Sequence, residues 1–293
     1  MRISIIGKFA RLYDEEYIVR SFEMLGHEVK RISDKNTIKD IYEISKLFNS
    51  EIVLFSKLNQ GPITLDYLNK WKNDGIKTIT WLFDLYIGYQ RENHINRMPF
   101  FKADYVFTTD GGHENEWKQY GINHKLLRQG IYKPECYVVP QVNPDGICFV
   151  GSYNLYNEER NIRIDKVAKH YKDFKWFGKE NTHQVRDRDL NDLYSKYKIV
   201  IGDSVYSPNY WSNRVVETLG RGGFLIHQEV EGIKEEYPYL VTYKKDDIED
   251  LFAKIDYYLE HEDERLDLIN KNHKWVLDNY TCDKKCEQLI KML

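Results

Sequence analysis

Residues 210–227 read YWSNRVVETLGRGGFLIH. A short helical stretch carries two charges, Arg214 and Glu217, runs into Gly220-Arg221-Gly222-Gly223 and passes at once into an apolar strand. A helix feeding a buried strand through a glycine turn is one link of a β/α alternation, and its charges need their own explanation. A helix starting near Ser212 exposes backbone N–H groups in its first turn, and these, with the dipole, attract phosphate. Ser212 and Asn213 suit such a start. Arg214 adds a two-pronged donor for a diphosphate. Glu217 follows Asn213 by four residues and shares its helix face. A carboxylate there does not serve phosphate, but it can accept hydrogen bonds from ribose hydroxyls, as the acidic residue of dinucleotide sites does. Gly220, Gly222 and Gly223 allow close backbone approach and a tight turn. The competing reading is a solvated i, i+3 pair of Arg214 and Glu217 beside a simple glycine cap.

The alternation extends in both directions. Upstream, RISIIG (2–7), HEVKRI (27–32), EIVLF (51–55), KTITWLFD (77–84) and DYVFTTD (104–110) read as strands, with HKLLRQ (124–129) after a further helix. Helical stripes such as Ile18, Phe22, Leu25 and Ile38, Ile41, Ile44 lie between them. Strands alternating with helices give a parallel sheet covered on both faces. The rhythm lapses over 131–146, where Pro134, Pro140 and Pro144 cluster, and restarts at ICFVG (147–151), KWFG (175–178), KIVIGD (198–203), FLIH (224–227) and YLVTY (239–243). The sequence therefore predicts an α/β protein with two Rossmann-like domains facing across a cleft. The expected segments are 1–135, 136–275 and a C-terminal helix, 276–293, crossing back to the first domain. Open α/β sheets bind ligands beyond the C-terminal strand ends, at the point where strand order reverses, so the expected ligand site is the cleft.

Composition removes several alternatives. A net charge of −3 over 293 residues demands neither nucleic acid nor an anionic membrane as partner. MRISIIGKF is not expected to act as a signal peptide, because its apolar run breaks at Gly7 and Lys8. No run approaches the about 18 apolar residues of a membrane span. Cys136, Cys148, Cys282 and Cys286 form no CxxC pair, so free thiols and a cytoplasmic location are expected.

Motifs narrow the chemistry further. No GxGxxG follows the first strand or ICFV, which disfavours a nicotinamide enzyme. GxxxxGK[ST], GxSxG and HExxH are absent as well. The run Asp187-Arg188-Asp189 has the Asp-x-Asp form that holds a nucleotide diphosphate through a metal ion in glycosyltransferases of another fold. Here it precedes a helix rather than ending a strand, and reads as a charge cluster favoured by the helix dipole. No metal ligand set and no cofactor are expected.

Five stretches, in order, resemble one family. NYWSNRVVETLGRGGFLIHQEVEGIKEEY (209–237) is similar to the donor-site segment of GT-B glycosyltransferases, in particular the CgeB-like "glycosyl transferases family 1" group, with its Arg-x-x-Glu helix, Gly-Gly turn, apolar strand and Gly-x-x-Glu. ICFVGSYNLYNEER (147–160), WLFDLY (81–86), KADYVFTTDGGHENEWKQYGI (102–122) and the helical ending 246–281 resemble further parts of that group. The resemblance implies a GT-B fold and transfer of a sugar from a nucleotide diphosphate donor, a UDP-sugar or similar, bound mainly by the second domain. Carried over residue by residue, it implies that Glu217 holds the ribose and that Ser212, Asn213 and Arg214 hold phosphate. Gly151 and Ser152 then form the loop beneath the diphosphate, and Gly222 and Gly223 the turn behind it. Retaining relatives carry a second glutamate eight positions before the ribose glutamate, where this chain has Asn209.

For the base of an inverting transfer, Asp84 at its strand end is preferred over Asp110, because relatives place Asp or His there. A turn-capping role for Asp84 is the alternative. The diphosphate leaving group would be stabilised by Arg214 and helix dipoles without an obligatory metal. The acceptor is expected to be a glycan or cell-surface polymer. A hydroxylated base in phage-type DNA stands as an alternative, for which Lys125, Arg128 and Lys133, or Arg97 and Lys102, would supply a basic rim. A non-catalytic two-domain binding protein is the reading from a different class.

Overall fold

The computed structural model describes residues 1–9, 13–56, 63–153, 158–179, 185–186 and 188–293. The first elements are β1 (Arg2–Gly7), α1 (Asp14–Met24), β2 (Glu28–Ser33), α2 (Ile38–Leu47), β3 (Ile52–Ser56), α3 (Leu65–Asn73) and β4 (Lys77–Trp81). They continue with α4 (Glu92–Arg97), β5 (Tyr105–Thr108), α5 (Glu114–Gln119) and β6 (His124–Leu126). Next come β7 (Asp145–Val150), α6 (Glu158–His170), β8 (Phe174–Phe177), α7 (Arg188–Ser195), β9 (Tyr197–Gly202), α8 (Arg214–Gly220), β10 (Leu225–Gln228), α9 (Ile233–Glu236) and β11 (Val241–Tyr243). Three helices close the chain: α10 (Ile248–Glu260), α11 (Glu262–Asn279) and α12 (Cys282–Lys291).

Two compact units result: Met1–Gln129 with Cys282–Leu293, and Gly130–Thr281. The expected boundaries at 135 and 275 thus move to 129 and 281. The reason is local. Ile131 bridges to Thr281, and its amide donates to the Tyr280 carbonyl, so the chain enters and leaves the second unit through one paired position.

In the first unit all strand pairs are parallel, in the order β2-β1-β3-β4-β5-β6. Strand β3 is buried at every position, as a central parallel strand covered on both faces must be. Trp71, Trp81 and Trp117 are wholly buried, and the Trp81 indole N–H donates to the Leu127 carbonyl. Helix α12 returns to this unit, where Cys282, Cys286 and Leu289 join Ile18 and Phe22 of α1 in one apolar cluster. All four cysteines are free and buried.

The second unit repeats the winding. Its parallel sheet runs β11-β10-β9-β7-β8, so the strand order reverses between β7 and β9. Crossover chirality and strand order together make this junction, beyond the C-terminal strand ends, the place where an open α/β sheet offers a ligand site. Among the described residues no helix is long and apolar enough to cross a membrane.

Candidate donor site

The C-terminal ends of β7 and β9 are bridged by one side chain. Arg214, the first residue of α8, donates from Nε to the Val150 carbonyl and from Nη1 to the Asp203 carbonyl, both at 2.8 Å. A weaker contact joins Nη1 to the Ser212 hydroxyl at 3.4 Å. Its guanidinium lies 4.9 Å from the Phe149 ring centroid, within cation–π range. Burial holds the pKa of Arg214 below the usual guanidinium value. Among the described residues no carboxylate forms an ion pair with it. The nearby Asp203 carboxylate, fully buried, is taken by Arg163 at 2.7 and 3.2 Å. A half-buried cation held by carbonyls, a hydroxyl and an aromatic face is a charge that no ion pair among the described residues neutralises.

The loop after β7 is shaped around this cation. A side chain at Gly151 would begin 2.8 Å from Arg214 Nη2 and 2.9 Å from the Phe149 ring. The Gly151 carbonyl accepts from the Trp176 indole, and the Ser152 carbonyl accepts from Arg160, both at 2.7 Å. Ser152 itself is exposed. Both loop residues are therefore held by their main chain, next to Arg214. The continuation of this loop, 154–157, lies outside the described residues, and so does Asp187 of the Asp-x-Asp run. Asp189 falls in the first turn of α7.

Helix α8 begins two residues later than the sequence suggests, at Arg214, and spans 7 residues. Asn213 is its N-cap but adopts a helical backbone and makes no side-chain cap bond. Ser212 and Asn213 are both half-buried at this start. So short a helix has a small macrodipole, and Arg214 becomes the main anion-attracting group.

Glu217 does not pair with Arg214. Its Oε2 accepts from Arg221 Nε at 2.8 Å, and its side chain stays a quarter exposed. Arg221, 2% exposed, also donates to Glu135 at 2.6 Å and to Asn191 at 2.7 Å. The glycines serve packing by the chain itself. A side chain at Gly220 would meet Ile131 and Val276, and one at Gly223 would meet Thr218 and Tyr194. Gly222 has φ +79° and lies against Val138. In this structure Gly222 and Gly223 form the helix-to-strand turn, and their small size is used by neighbouring side chains.

Asn209, at the position of the glutamate in retaining relatives, sits in the left-handed region at φ 52°. Its amide carbonyl fills the space that a side chain on Gly232 would need. Asparagine tolerates that backbone and glutamate does so less readily, which gives the departure a conformational cause.

In the first unit, Asp84 lies just past β4 with a side chain 41% exposed, in an ion pair with Arg91 at 2.8 Å. Asp110 is fully buried and accepts the amides of Tyr86 and Ile87. Burial raises its pKa to about 6 against the effect of those amides. Asp110 therefore holds the 86–87 loop, while Asp84 keeps an accessible carboxylate. Of the basic residues considered for DNA, Arg128 is buried and Lys125 donates to the Met292 carbonyl, while Lys133, Arg97 and Lys102 are exposed.

Sequence reasoning missed Asp203, Arg163, Glu135 and Arg221. Only Glu217 and Arg221, four apart on one helix, leave a signal in the chain.

These features define a fold, that of the two-domain GT-B glycosyltransferases. Residues 154–291 match the profile of the family described as glycosyl transferase-like. Solved structures align over nearly the whole chain. Sucrose-phosphate synthase from Thermosynechococcus elongatus superposes with a TM-score of 0.65 at 11% identity, covering 99% of this chain and 98% of that one. The catalytic domain of starch synthase IV from Arabidopsis thaliana, bound to ADP and acarbose, gives 0.68 at 8% identity, with 99% and 98% covered. The E. coli trehalose-6-phosphate protein bound with UDP-2-fluoro glucose gives 0.63 at 10% identity, with 100% and 98% covered. No curated protein sequence matches the chain.

Proposed function

We propose that this protein is a glycosyltransferase that moves a sugar from a nucleotide diphosphate donor to an acceptor hydroxyl. The observation that carries this reading is Arg214, a guanidinium with no carboxylate partner among the described residues, at the strand-order reversal of the second unit. With Nε and Nη1 given to carbonyls, the Nη2 end of the guanidinium is the part that a diphosphate oxygen would meet. Gly151 and Ser152 line the approach to it, Ser212 and Asn213 stand at the start of its helix, and Glu217 takes the ribose hydroxyls. Gly222 and Gly223 shape the turn behind.

The profile match over 154–291 falls on the unit that carries these groups, and two of the structural neighbours hold ADP or UDP-2-fluoro glucose. On this reading Arg214 meets the leaving-group charge, and a divalent ion is not required. Asp84 acts as base on the acceptor hydroxyl. The acceptor class we favour is a glycan or cell-surface polymer. A DNA acceptor is the less favoured class, because Arg128 is buried and Lys125 is bonded to the Met292 carbonyl.

The test is thermal unfolding with UDP, GDP and ADP, followed by donor hydrolysis with and without EDTA. At least one nucleotide should raise the melting temperature of the native protein, and Arg214→Ala should abolish that shift. Absence of any shift across the three nucleotides would refute the donor site, and a shift without donor turnover would leave a binding protein instead.

A further inference from the structure

We infer that Arg221 is a positioning residue for ribose recognition, acting through Glu217 and held in place by Glu135 and Asn191. The inference rests on the donor reading above and deepens it. Arg221 is wholly enclosed, and its three nitrogens meet three acceptors from three separate segments: Glu217 on α8, Glu135 in the 3-10 turn Lys133–Glu135, and Asn191 on α7. Asn191 cannot turn its amide over, because its Nδ2 donates to the carbonyls of Glu135 and Tyr137 at 3.0 and 2.7 Å. The acceptor set around the guanidinium is thus fixed by the fold.

Exposure then identifies the functional member. One guanidinium faces two carboxylates. Glu135, with a side chain 9% exposed, suffices to neutralise Arg221 in the interior. Glu217, by contrast, is a quarter exposed and one helical turn from Arg214, so its carboxylate reaches the side of the helix that a ligand would approach. Arg221 anchors its Oε2 at 2.8 Å and so fixes the position of that oxygen. A carboxylate held this way, beside a cation suited to diphosphate, is built for neutral hydroxyl donors, and a ribose diol supplies two. Burial by itself would weaken the hold of Arg221 on its proton, but Glu217 and Glu135 more than reverse this, so the group stays charged at every working pH.

The experiment compares the affinity of UDP (or whichever nucleotide shifts the native protein) with that of its 2′,3′-dideoxy counterpart, by calorimetry. The native protein should prefer the ribonucleotide by about tenfold or more, the worth of a hydrogen bond to a charged group. Arg221→Lys keeps the charge but cannot span three acceptors. It should cut the preference at least about fivefold while the dideoxy affinity stays within about twofold. Arg221→Met combined with Glu135→Gln removes the two most deeply buried charges together and leaves Glu217, a quarter exposed, without this arginine, and it should do the same. A folded variant of either kind that keeps the native preference overturns the inference and leaves Arg221 a purely structural group. Failure of the donor reading has a different signature: the native protein then binds neither nucleotide. Retention of the preference by Glu217→Gln would remove the ribose role from Glu217, and the inference with it.

Discussion

Arg214 binds the carbonyl of Asp203, and the carboxylate of Asp203 is committed to Arg163. This division of one residue between two arginines explains why a cation persists at the strand-order reversal. Arg163 holds the wholly buried Asp203 and also reaches Asp246 at 3.1 Å. Among the described residues Arg214 receives uncharged partners, the carbonyls of Val150 and Asp203, the Ser212 hydroxyl and the Phe149 ring, and keeps its net charge for a ligand. The position of that charge, over the ends of β7 and β9, follows from strand order. Its availability follows from which atoms of Asp203 are used.

Arg214→Lys tests charge against geometry. A lysine keeps the positive charge but cannot donate to both carbonyls and still offer a flat face to Phe149. Nucleotide diphosphate affinity should fall about tenfold to a hundredfold, and unfolding stability by about 1–2 kcal/mol as the two carbonyls lose their donors. Calorimetric titration alongside urea unfolding separates the two effects. Native-like affinity in the lysine variant would show that charge alone matters.

Gly151→Ala acts on the same cation from the opposite side. The added methyl would fall 2.8 Å from Arg214 Nη2 and 2.9 Å from the Phe149 ring, closer than packed atoms tolerate. Overpacking of this kind costs about 1–3 kcal/mol. Because the flexible partner is the Arg214 end group, the guanidinium should move first, and donor affinity should fall with stability. A variant that loses stability but binds nucleotide as before would place the ligand away from this face of Arg214.

Much of the fold is visible in the chain, for physical reasons. Parallel strands buried on both faces read as short apolar runs, as at Ile52–Ser56, and amphipathic helices repeat every three to four residues, as at Ile38, Ile41 and Ile44. Arg214 and Glu217 are legible because a helix start before a glycine turn gives charges a defined neighbourhood. The companions of those charges are not legible. Glu135 meets Arg221 across 86 positions, and Arg163 meets Asp203 across 40. No local period encodes such pairs, since only the packing of separate elements brings them together. The glycines are legible in part. Their small size reads as close backbone approach and a tight turn, and the chain does not reveal that Ile131, Val138, Thr218 and Tyr194 are what approaches them.

Asp84 and Asp110 make opposite predictions for catalysis. Asp84 is accessible beside Arg91, whereas Asp110 is buried with two amides already upon it. If Asp84 removes the acceptor proton, Asp84→Asn should lower kcat by about 10²–10⁴ while donor affinity stays within a fewfold. Steady-state turnover with a working acceptor, set against calorimetric donor affinity, reads both. A kcat within a fewfold of native would exclude Asp84 as the base and direct attention to retaining chemistry.

His124 should titrate far below the usual imidazole range. Burial, with a smaller contribution from His113, lowers its pKa to about 4. Its ring stacks on Trp117 at 4.6 Å, and its Nε2 shares a hydrogen bond with Thr108 at 2.8 Å. A lowered folded pKa means that its stabilising contribution is complete above the unfolded value near 6.5 and is lost as pH falls through about 4. An imidazole proton resonance titrated by NMR should therefore stay in its neutral position down to about pH 5. A midpoint near 6.5 would mean that the ring is open to water.

Asp110 should shift stability in the opposite sense. Its folded pKa of about 6 stands above the unfolded value of 3.8, because burial outweighs the two amides. A raised carboxyl contributes stability that is complete below the unfolded pKa and is lost as pH rises through the folded one. Asp110→Asn cannot ionise, and its amide oxygen can still accept from Tyr86 or Ile87. Between pH 4 and pH 7 the native protein should therefore lose stability relative to Asp110→Asn, by about 2–3 kcal/mol for a shift of this size. Urea midpoints measured for both proteins at pH 4, 5, 6 and 7 give the difference directly, with all other titrating groups cancelling. A difference that stays constant across that range would mean that Asp110 is ionised throughout, held by its two amide donors against the cost of burial.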